Sequence, residues 1–136
     1  RLSAYKTSDG TAKWTYGAGF GASGTPSISS DGSIVPTGGD AGVRSLRDEG
    51  DRATLEWERN DLQQLGTPVH AADDTIVTVT GRGNELVIST VDANTGDTVA
   101  DRPLPGATGF TVGTSIGPDG QVVTSTYLGE IFTYSS

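Results

Sequence analysis

Short runs of β-branched and other apolar residues alternate with clusters of turn residues along the whole chain. Two such runs are Thr75–Thr80 and Gln121–Tyr127. Valine, isoleucine and threonine favour the extended backbone of a strand, whereas Gly and Asp favour turns. The spacing typical of a helix, roughly 3.6 residues, is not sustained anywhere; Leu55–Leu65 comes closest, and we interpret it as a strand followed by a polar connector. The pattern therefore predicts an all-β chain.

The same arrangement of residues returns several times along the chain. A first anchor, Gly-Thr followed by Pro or Ser, recurs at spacings of 42 and 47 residues, at Gly24–Pro26, Gly66–Pro68 and Gly113–Ser115. A second anchor, a small residue among apolar ones, recurs at spacings of 41, 45 and 43 residues, centred on Ala4, Ser45, Thr90 and Thr133. Two independent registers that share a period of about 43 residues indicate a structural repeat.

Each repeat divides into four predicted strands. The first strand follows the Gly-Thr anchor, and an acidic turn such as Asp31-Gly32 leads into the second. Asp-Gly is a strong hairpin signal, because Gly adopts positive φ without strain. Further turns separate the second, third and fourth strands. Four short antiparallel strands in each period of about 40–45 residues are typical of one β-propeller blade.

We predict one propeller segment over residues 1–136, divided at the repeat anchors. Residues 1–23 form the third and fourth strands of a blade plus a connector, 24–65 and 66–112 form blades, and 113–136 form the first three strands of a final blade. That is 13 strands, or a little over three blades, whereas a closed propeller needs about four to eight. We therefore expect an incomplete ring, further sequence before Arg1, and a last outer strand supplied by the N-terminal part of the protein. The isolated chain should self-associate or fold poorly.

Tryptophan occurs twice, each time in a predicted fourth strand, at Trp14 and Trp57. At this position of a blade, an indole can pack between neighbouring sheets and remove roughly 200 Å² of apolar surface from water. We predict that both side chains dock adjacent blades. In the third repeat, Ala100 occupies the position where a tryptophan would align.

The segment Leu2–Trp14 resembles the blade motif of the PQQ-like, quinoprotein-type β-propellers, in which Leu-x-Ala-Leu-Asp is followed by Thr-Gly and then Trp. Ile88–Gly96 is similar to the front half of that motif, whereas Asp48–Asp51 replaces Thr-Gly in the middle repeat. The resemblance covers nearly the whole chain and implies a complete ring of about seven or eight blades. It carries little information about activity, because the motif describes packing rather than a site.

Composition excludes several classes of function. The chain has 9 Lys+Arg against 17 Asp+Glu, a formal net charge of -8, which disfavours binding to nucleic acid and to anionic membranes. Absence of Cys excludes disulfides, thiolate zinc sites, iron–sulfur clusters and cysteine nucleophiles. The sequence also lacks an apolar run of the roughly 20 residues that span a bilayer. No apolar segment follows Arg1–Ala4 as in a signal peptide, so any export signal lies outside this chain.

Three features could carry chemistry. Asp92, Asn94 and Asp97 place oxygen ligands as the start of a calcium loop does, but Gly96 stands at the fifth position and no Glu completes the loop, so we interpret them as a structural turn. His70, the sole histidine, follows Pro68-Val69 on a predicted inner strand, where it could face a central channel. One histidine makes neither a zinc site nor a catalytic triad by itself, and we interpret it as packed or solvent-facing.

Acidic residues alternate with arginines between Arg44 and Asp61. We interpret this segment as a solvated face with weak ion pairs, and a docking surface for a basic partner is the alternative.

The resemblance implies three functions of different class. We favour a non-catalytic module that binds a protein or ligand, as a scaffold or as an extracytoplasmic sensor domain, with no cofactor. An alternative is a fragment of a PQQ-dependent alcohol or sugar dehydrogenase, which would require PQQ and calcium; none of the residues here can be matched to a quinone site. The third possibility is a structural repeat that associates with other copies of itself. Partners are therefore another protein, the remaining blades or a second copy.

Overall fold

The computed structural model describes residues 1–17, 24–37, 42–108 and 111–135. The predicted connector over 18–23 and the predicted turn over 38–41 lie outside these ranges. All regular structure in the described ranges is β-strand. None of it forms a helix with the length and apolar character that a bilayer crossing needs.

Within the described ranges, the strands assemble into four antiparallel sheets that follow one another along the chain. The first sheet contains β1 (Leu2–Tyr5) and β2 (Ala12–Tyr16). The second contains β3 (Ser27–Ile28), β4 (Ser33–Val35), β5 (Val43–Asp48) and β6 (Ala53–Arg59). The third contains β7 (Gln63–Gln64), β8 (Val69–His70), β9 (Thr75–Arg82), β10 (Glu85–Asp92) and β11 (Thr98–Pro103). The fourth contains β12 (Thr111–Ile116), β13 (Val122–Thr126) and β14 (Ile131–Tyr134).

Strands pair in chain order within each sheet, with one difference from the sequence expectation. Gln63–Gln64, which we placed in the connector of the preceding repeat, pairs with β9 as a short strand, and β8 pairs with the other end of β9. The N–H groups of Leu65 and Gly66 both donate to the carbonyl of Val79. Pro68 has no N–H to continue the ladder. The innermost strand of the third sheet is therefore split in two.

The two best copies of the blade motif fold into the same turn. Between β10 and β11, the Asp92 N–H donates to the Asp97 carbonyl at 2.9 Å, and the Gly96 N–H donates back to Asp92 at 2.9 Å. Between β1 and β2, Lys6, Thr11 and Gly10 make the corresponding bonds. Both glycines are left-handed, with φ of 77° at Gly96 and 73° at Gly10, a region that other residues reach only with strain.

A β-bulge recurs at the same place in three sheets. The strand register shifts directly after Ala4, Ser45 and Thr90, which are the small residues of the second repeat anchor. The residues paired with these three on the neighbouring strand are Trp14, Trp57 and Ala100. The structural repeat therefore aligns the two tryptophans with Ala100.

The core lies between sheets, in three apolar clusters. Trp14 packs with Ile34 and Leu46 between the first and second sheets. The second cluster joins the second and third sheets and contains Val35, Val43, Leu62, Ile76 and Val91. The third joins the third and fourth sheets and contains Val77, Val79, Leu86, Ile88 and Leu104, with Val122 and Phe132 against it. A sheet with neighbours on both sides buries both faces, which explains why Thr75–Thr80 is not a simple alternation of polar and apolar residues.

Candidate functional site: the Ser27–His70 pocket

A pocket of about 430 Å³ opens where the second and third sheets meet. Two hairpin turns form its rim, the β3–β4 turn with Asp31 and the β8–β9 turn with Asp74. His70 lies at the end of β8 and forms part of the wall, and Asn94 contributes from the β10–β11 turn. The pocket is therefore built from turns at one end of two adjacent sheets.

Ser27 and His70 are hydrogen-bonded across the junction between these sheets. The backbone N–H of His70 donates to Ser27 Oγ at 3.0 Å, and the same oxygen lies 2.8 Å from His70 Nδ1. Because the Ser27 hydroxyl accepts the backbone N–H, its own proton is available to Nδ1. When the Ser27 hydroxyl donates to Nδ1, a neutral imidazole carries its proton on Nε2, which is buried and has no hydrogen-bond partner among the described residues.

The imidazole of His70 is held in its neutral form. Burial lowers the pKa of His70 below its ordinary value, and the negative charge of Asp31 opposes this only in part. In a catalytic triad, a carboxylate holds the ring nitrogen that faces away from the serine. In the part of the chain that the structure describes, Nε2 has no hydrogen-bond partner. His70 is therefore a wall residue of the pocket whose imidazole is bonded to Ser27 through Nδ1.

An ion-pair network borders one side of the pocket. The Arg47 guanidinium donates through Nε to Glu56 Oε1 at 2.7 Å and through Nη2 to Asp31 Oδ2 at 3.1 Å. Glu56 also accepts the hydroxyl groups of Ser33 at 3.0 Å and Ser45 at 2.9 Å. Glu56 itself is an exposed residue, and it lies at the register shift that follows Ser45.

Both carboxylates of this network are ionised at neutral pH. The Ser29 hydroxyl, the Ser33 backbone N–H and Arg47 hold the pKa of Asp31 well below its usual range. Burial raises the pKa of Glu56, but hydrogen bonds from Ser45, Arg47 and Ser33 outweigh burial and lower it. The Asp31 carboxylate on this side of the pocket is therefore engaged by Ser29, Ser33 and Arg47.

The two tryptophans lie between neighbouring sheets. The buried Trp14 indole donates from Nε1 to Asp48 Oδ1 at 2.8 Å, and Lys13 Nζ donates to the other oxygen of that carboxylate at 2.8 Å. The half-buried Trp57 indole packs against the second core cluster and donates to the Ala93 carbonyl at 2.8 Å. Their contribution to holding the sheets together remains a prediction that substitution can test.

The side chains of Asp92 and Asp97, considered above as calcium ligands, form hydrogen bonds within the β10–β11 turn. Asp92 Oδ1 accepts the backbone N–H groups of Asn94 and Thr95 at 2.8 and 3.0 Å, and Asp97 accepts the Thr95 hydroxyl at 3.0 Å. Within the described ranges, no three His, Asp or Glu side chains are grouped as cation ligands.

Comparisons with known proteins found one relative by sequence and a similar fold among solved structures. No family model matches the chain. Protein Rv3035 of Mycobacterium tuberculosis (strain ATCC 25618 / H37Rv) is 38% identical over 141 residues, an alignment that covers 99% of this chain and 34% of that protein. The chain thus spans about a third of the length of this curated relative, whose name carries no information about function.

Among solved structures, the chain is similar to BamB from Moraxella catarrhalis, with a TM-score of 0.69 at 15% identity. The match covers 98% of this chain and 43% of that one. BamB is a β-propeller, so this likeness shows the fold. The prediction of an all-β propeller segment of about three four-stranded blades in an incomplete ring is confirmed.

Proposed function

We propose that the chain is part of a non-catalytic β-propeller of the PQQ-like repeat family that binds a protein or ligand, as a scaffold or extracytoplasmic sensor. The observation that carries this proposal is the Ser27–His70 pocket. Its wall contains His70, whose Nδ1 is hydrogen-bonded to Ser27, and its rim contains Asp31, which is paired with Arg47. The blade motif over Leu2–Trp14 and the BamB-like fold support the family and an interaction role.

The binding surface that we propose is the end of the sheets that carries the β3–β4 and β8–β9 turns. Ala72 is exposed on this end and lines the Ser27–His70 pocket. Asn84 is also exposed, but it lies in the β9–β10 turn, at the opposite end of β9. The two positions therefore provide a matched pair for mapping a partner on the intact protein.

Site-specific photocross-linking in the native cell tests the proposal. A photoreactive residue replaces Ala72 in the full-length protein, and the same residue replaces Asn84 in the control. We expect a discrete adduct of defined mass from position 72, and a weaker adduct or none from position 84. The substitution His70→Ala should reduce the adduct from position 72. Equal labelling from both positions, or no adduct from position 72, would argue against this surface. Fractionation of the same cells locates the protein, and recovery in the cytoplasm would contradict the sensor assignment.

The dehydrogenase alternative predicts a different result. Calcium and PQQ, added to the full-length protein with an artificial electron acceptor and an alcohol or a sugar, should leave the dye oxidised if the module is non-catalytic. Substrate-dependent reduction of the dye would replace the binding proposal with the enzyme. The alternative of self-association predicts that the adduct from position 72 is a dimer of this chain.

A further inference from the structure

The β8–β9 turn, on the rim of the Ser27–His70 pocket, is one copy of a hairpin turn that recurs in the repeat. In the segments 29–33, 71–75 and 117–121, the backbone N–H of the first residue donates to the carbonyl of the last. The residue before the last is left-handed each time, with φ of 90° at Gly32, 58° at Asp74 and 77° at Gly120. Of these three residues, Asp74 alone has a side chain.

The pockets beside these turns are also copies of each other. A second pocket, of about 340 Å³, lies where the third and fourth sheets meet, one repeat after the Ser27–His70 pocket. His70 and Ile116 line one pocket each. They occupy the same register position, because His70 pairs with Ile76 and Ile116 pairs with Val122. The two pockets therefore share one architecture and differ in the side chains at equivalent positions.

Three equivalent lining positions differ in polarity between the two pockets. Ser30, His70 and Asp74 of the first pocket correspond to Ala72, Ile116 and Gly120 of the second. The change at Asp74 falls on a left-handed position, which residues with a side chain adopt only rarely, although Asp and Asn tolerate it better than others. The first pocket therefore has a carboxylate where the second has no side chain.

The carboxylate of Asp74 is uncommitted, unlike the other carboxylates of these turns. Asp31, Asp73 and Asp119 share an equivalent position, and each accepts a hydrogen bond from a nearby side chain, donated by Arg47 at 3.1 Å, Thr75 at 2.6 Å and Gln121 at 3.0 Å respectively. Within the described ranges, no hydrogen bond or ion pair engages the side chain of Asp74. The residue is exposed, so its charge is available to a group that enters the pocket.

The charge around the pocket favours a cation. In the described part of the chain, no Lys or Arg is among the residues that line it. Arg47, which borders it, is shared between the carboxylates of Asp31 and Glu56, so this network keeps one negative charge. The neutral ring of His70 adds no positive charge, and Asp74 adds a second negative one. A positively charged group would therefore be attracted to this pocket.

The rest of the lining suits the stem of a long side chain. Ala71, Ala72 and Ala93 line the pocket, and their methyl groups offer apolar surface without charge. Lys and Arg combine an apolar stem with a terminal cation, so they match both parts of the lining. An apolar chain without the charge would use only one of the two parts.

We propose that the Ser27–His70 pocket binds a Lys or Arg side chain of a partner protein, with the terminal cation on the Asp74 carboxylate. The proposal rests on the protein-binding function proposed above and specifies which side chain of the partner is recognised. The stem lies against Ala72 and Ala93. Ser30 and Asn94, which are exposed in the same lining, supply further acceptors for the N–H groups of the cation.

Short peptides test the proposal on the full-length protein. The probe is acetyl-Gly-Lys-Gly-amide, and the controls replace Lys with norleucine, which keeps the stem and removes the ammonium group, or with Glu. We expect saturable binding of the probe, with shifts of the Ala72 and Ala93 methyl resonances in NMR spectra. Affinity for the norleucine peptide should be about three- to fivefold lower, the range of an exposed ion pair. The Glu peptide should bind more weakly still, because like charges repel.

Substitutions at Asp74 separate its charge from its shape. Asp74→Asn removes the charge, keeps a residue that tolerates the left-handed backbone, and should weaken the probe about three- to fivefold. Asp74→Gly installs the residue of the equivalent turns, which adopts positive φ without strain, and should weaken the probe equally. Asp73→Asn is the matched control, because it removes the adjacent charge from the wall of the second pocket. It should leave the affinity within about twofold at physiological salt.

Affinity of the probe that is unchanged in both Asp74 variants, or equal binding of the norleucine peptide, would overturn the proposal. Shifts that map away from Ala72 and Ala93 would also overturn it. These failures are distinct from failure of the proposed function, because cross-linking from position 72 reports a partner whatever side chain that partner presents. An adduct without peptide binding removes this inference alone.

Discussion

Trp14 and Trp57 occupy the same place in the repeat but donate to different acceptors. The acceptor for Trp14 is the Asp48 carboxylate, and the acceptor for Trp57 is the Ala93 carbonyl. Truncation of either indole to Ala should lower the free energy of unfolding by about 3–5 kcal/mol, since it removes a large side chain from between two sheets. Urea denaturation of the full-length protein measures this loss, and a change below about 1 kcal/mol would contradict the docking role.

Substitution by Phe separates the hydrogen bond from the packing. Trp14→Phe leaves an ionised carboxylate short of one donor and should cost about 1–2 kcal/mol more than Trp57→Phe, because hydrogen bonds to charged groups are the stronger ones. The pKa of Asp48 is lowered by Lys13 and then by Trp14, so Trp14→Phe should also raise it. Measuring that pKa by NMR titration checks the assignment, and an unchanged value would mean that the indole bond contributes nothing.

The lowered pKa of His70 predicts that the free energy of unfolding decreases as the pH falls. Burial lowers its pKa from 6.5 in the folded protein, so the folded state binds fewer protons than the unfolded state just below this pH. The stability that the neutral ring contributes is present above pH 6.5 and is lost as the pH falls through the lowered value. His70→Asn retains an acceptor for Ser27 and should make the free energy of unfolding flat between pH 7 and 5, measured with urea. An equal slope in wild type and variant would contradict this.

At more acidic pH, the ionisation of carboxylates determines how the free energy of unfolding depends on pH. Arg59 lowers the pKa of Asp61 from 3.8 to about 2, and Lys13 lowers that of Asp48. Their contribution is complete above pH 4 and is lost as the pH falls toward 2. The side chain of Asp61 is largely exposed, so solvent screens its share, and the half-buried Asp48 should dominate.

At the scale of the element, the β10–β11 turn is both a hairpin and a contact surface. A Cβ on Gly96 would lie 2.6 Å from the Trp57 ring, whereas a Cβ on Gly10, in the equivalent turn, would meet nothing. Both positions have positive φ. Gly10→Ala should therefore cost about 1–2 kcal/mol for the backbone alone, and Gly96→Ala about 1–3 kcal/mol more for the contact. Thermal and urea unfolding of the two variants compares them, and equal losses would show that Trp57 moves aside freely.

Local signals in the sequence predicted most elements because turn chemistry and β-branched runs act over a few residues. The Asp-Gly turns and the four strands of each repeat are of this kind. The short strand Gln63–Gln64 carries no such signal; it pairs with Gly81 and Thr80, just before Leu65 and Gly66 donate to the carbonyl of Val79. The Ser27–His70 contact was also missed, because it joins residues 43 positions apart whose meeting depends on how two sheets stack. Their spacing of one repeat is the signal that could have found it.

At the scale of the molecule, the main strand contacts between sheets in the described ranges join sheets that are neighbours along the chain, as in other repeat architectures. The consequence appears at the last sheet. Val77 and Ile88, on the face of the third sheet that the fourth covers, are 4% and 3% exposed. Val123 and Ile131, at the equivalent positions of the fourth sheet, are 37% and 72% exposed. In a ring, a further sheet covers these positions. The number of predicted strands alone indicated that such a neighbouring sheet is missing from this chain.

The open face of the fourth sheet makes a prediction about association. Purified alone, the 136-residue chain should self-associate as concentration rises, because burial of exposed apolar surface drives contact between copies. Ile131→Lys places a charge on that face at a position that makes no core contact, so it should shift association to about tenfold higher concentration without loss of β-structure by circular dichroism. Light scattering against concentration measures both chains, with Ser125→Thr on the same face as the control. A wild-type chain that stays monomeric and compact would mean that the fourth sheet needs no neighbour.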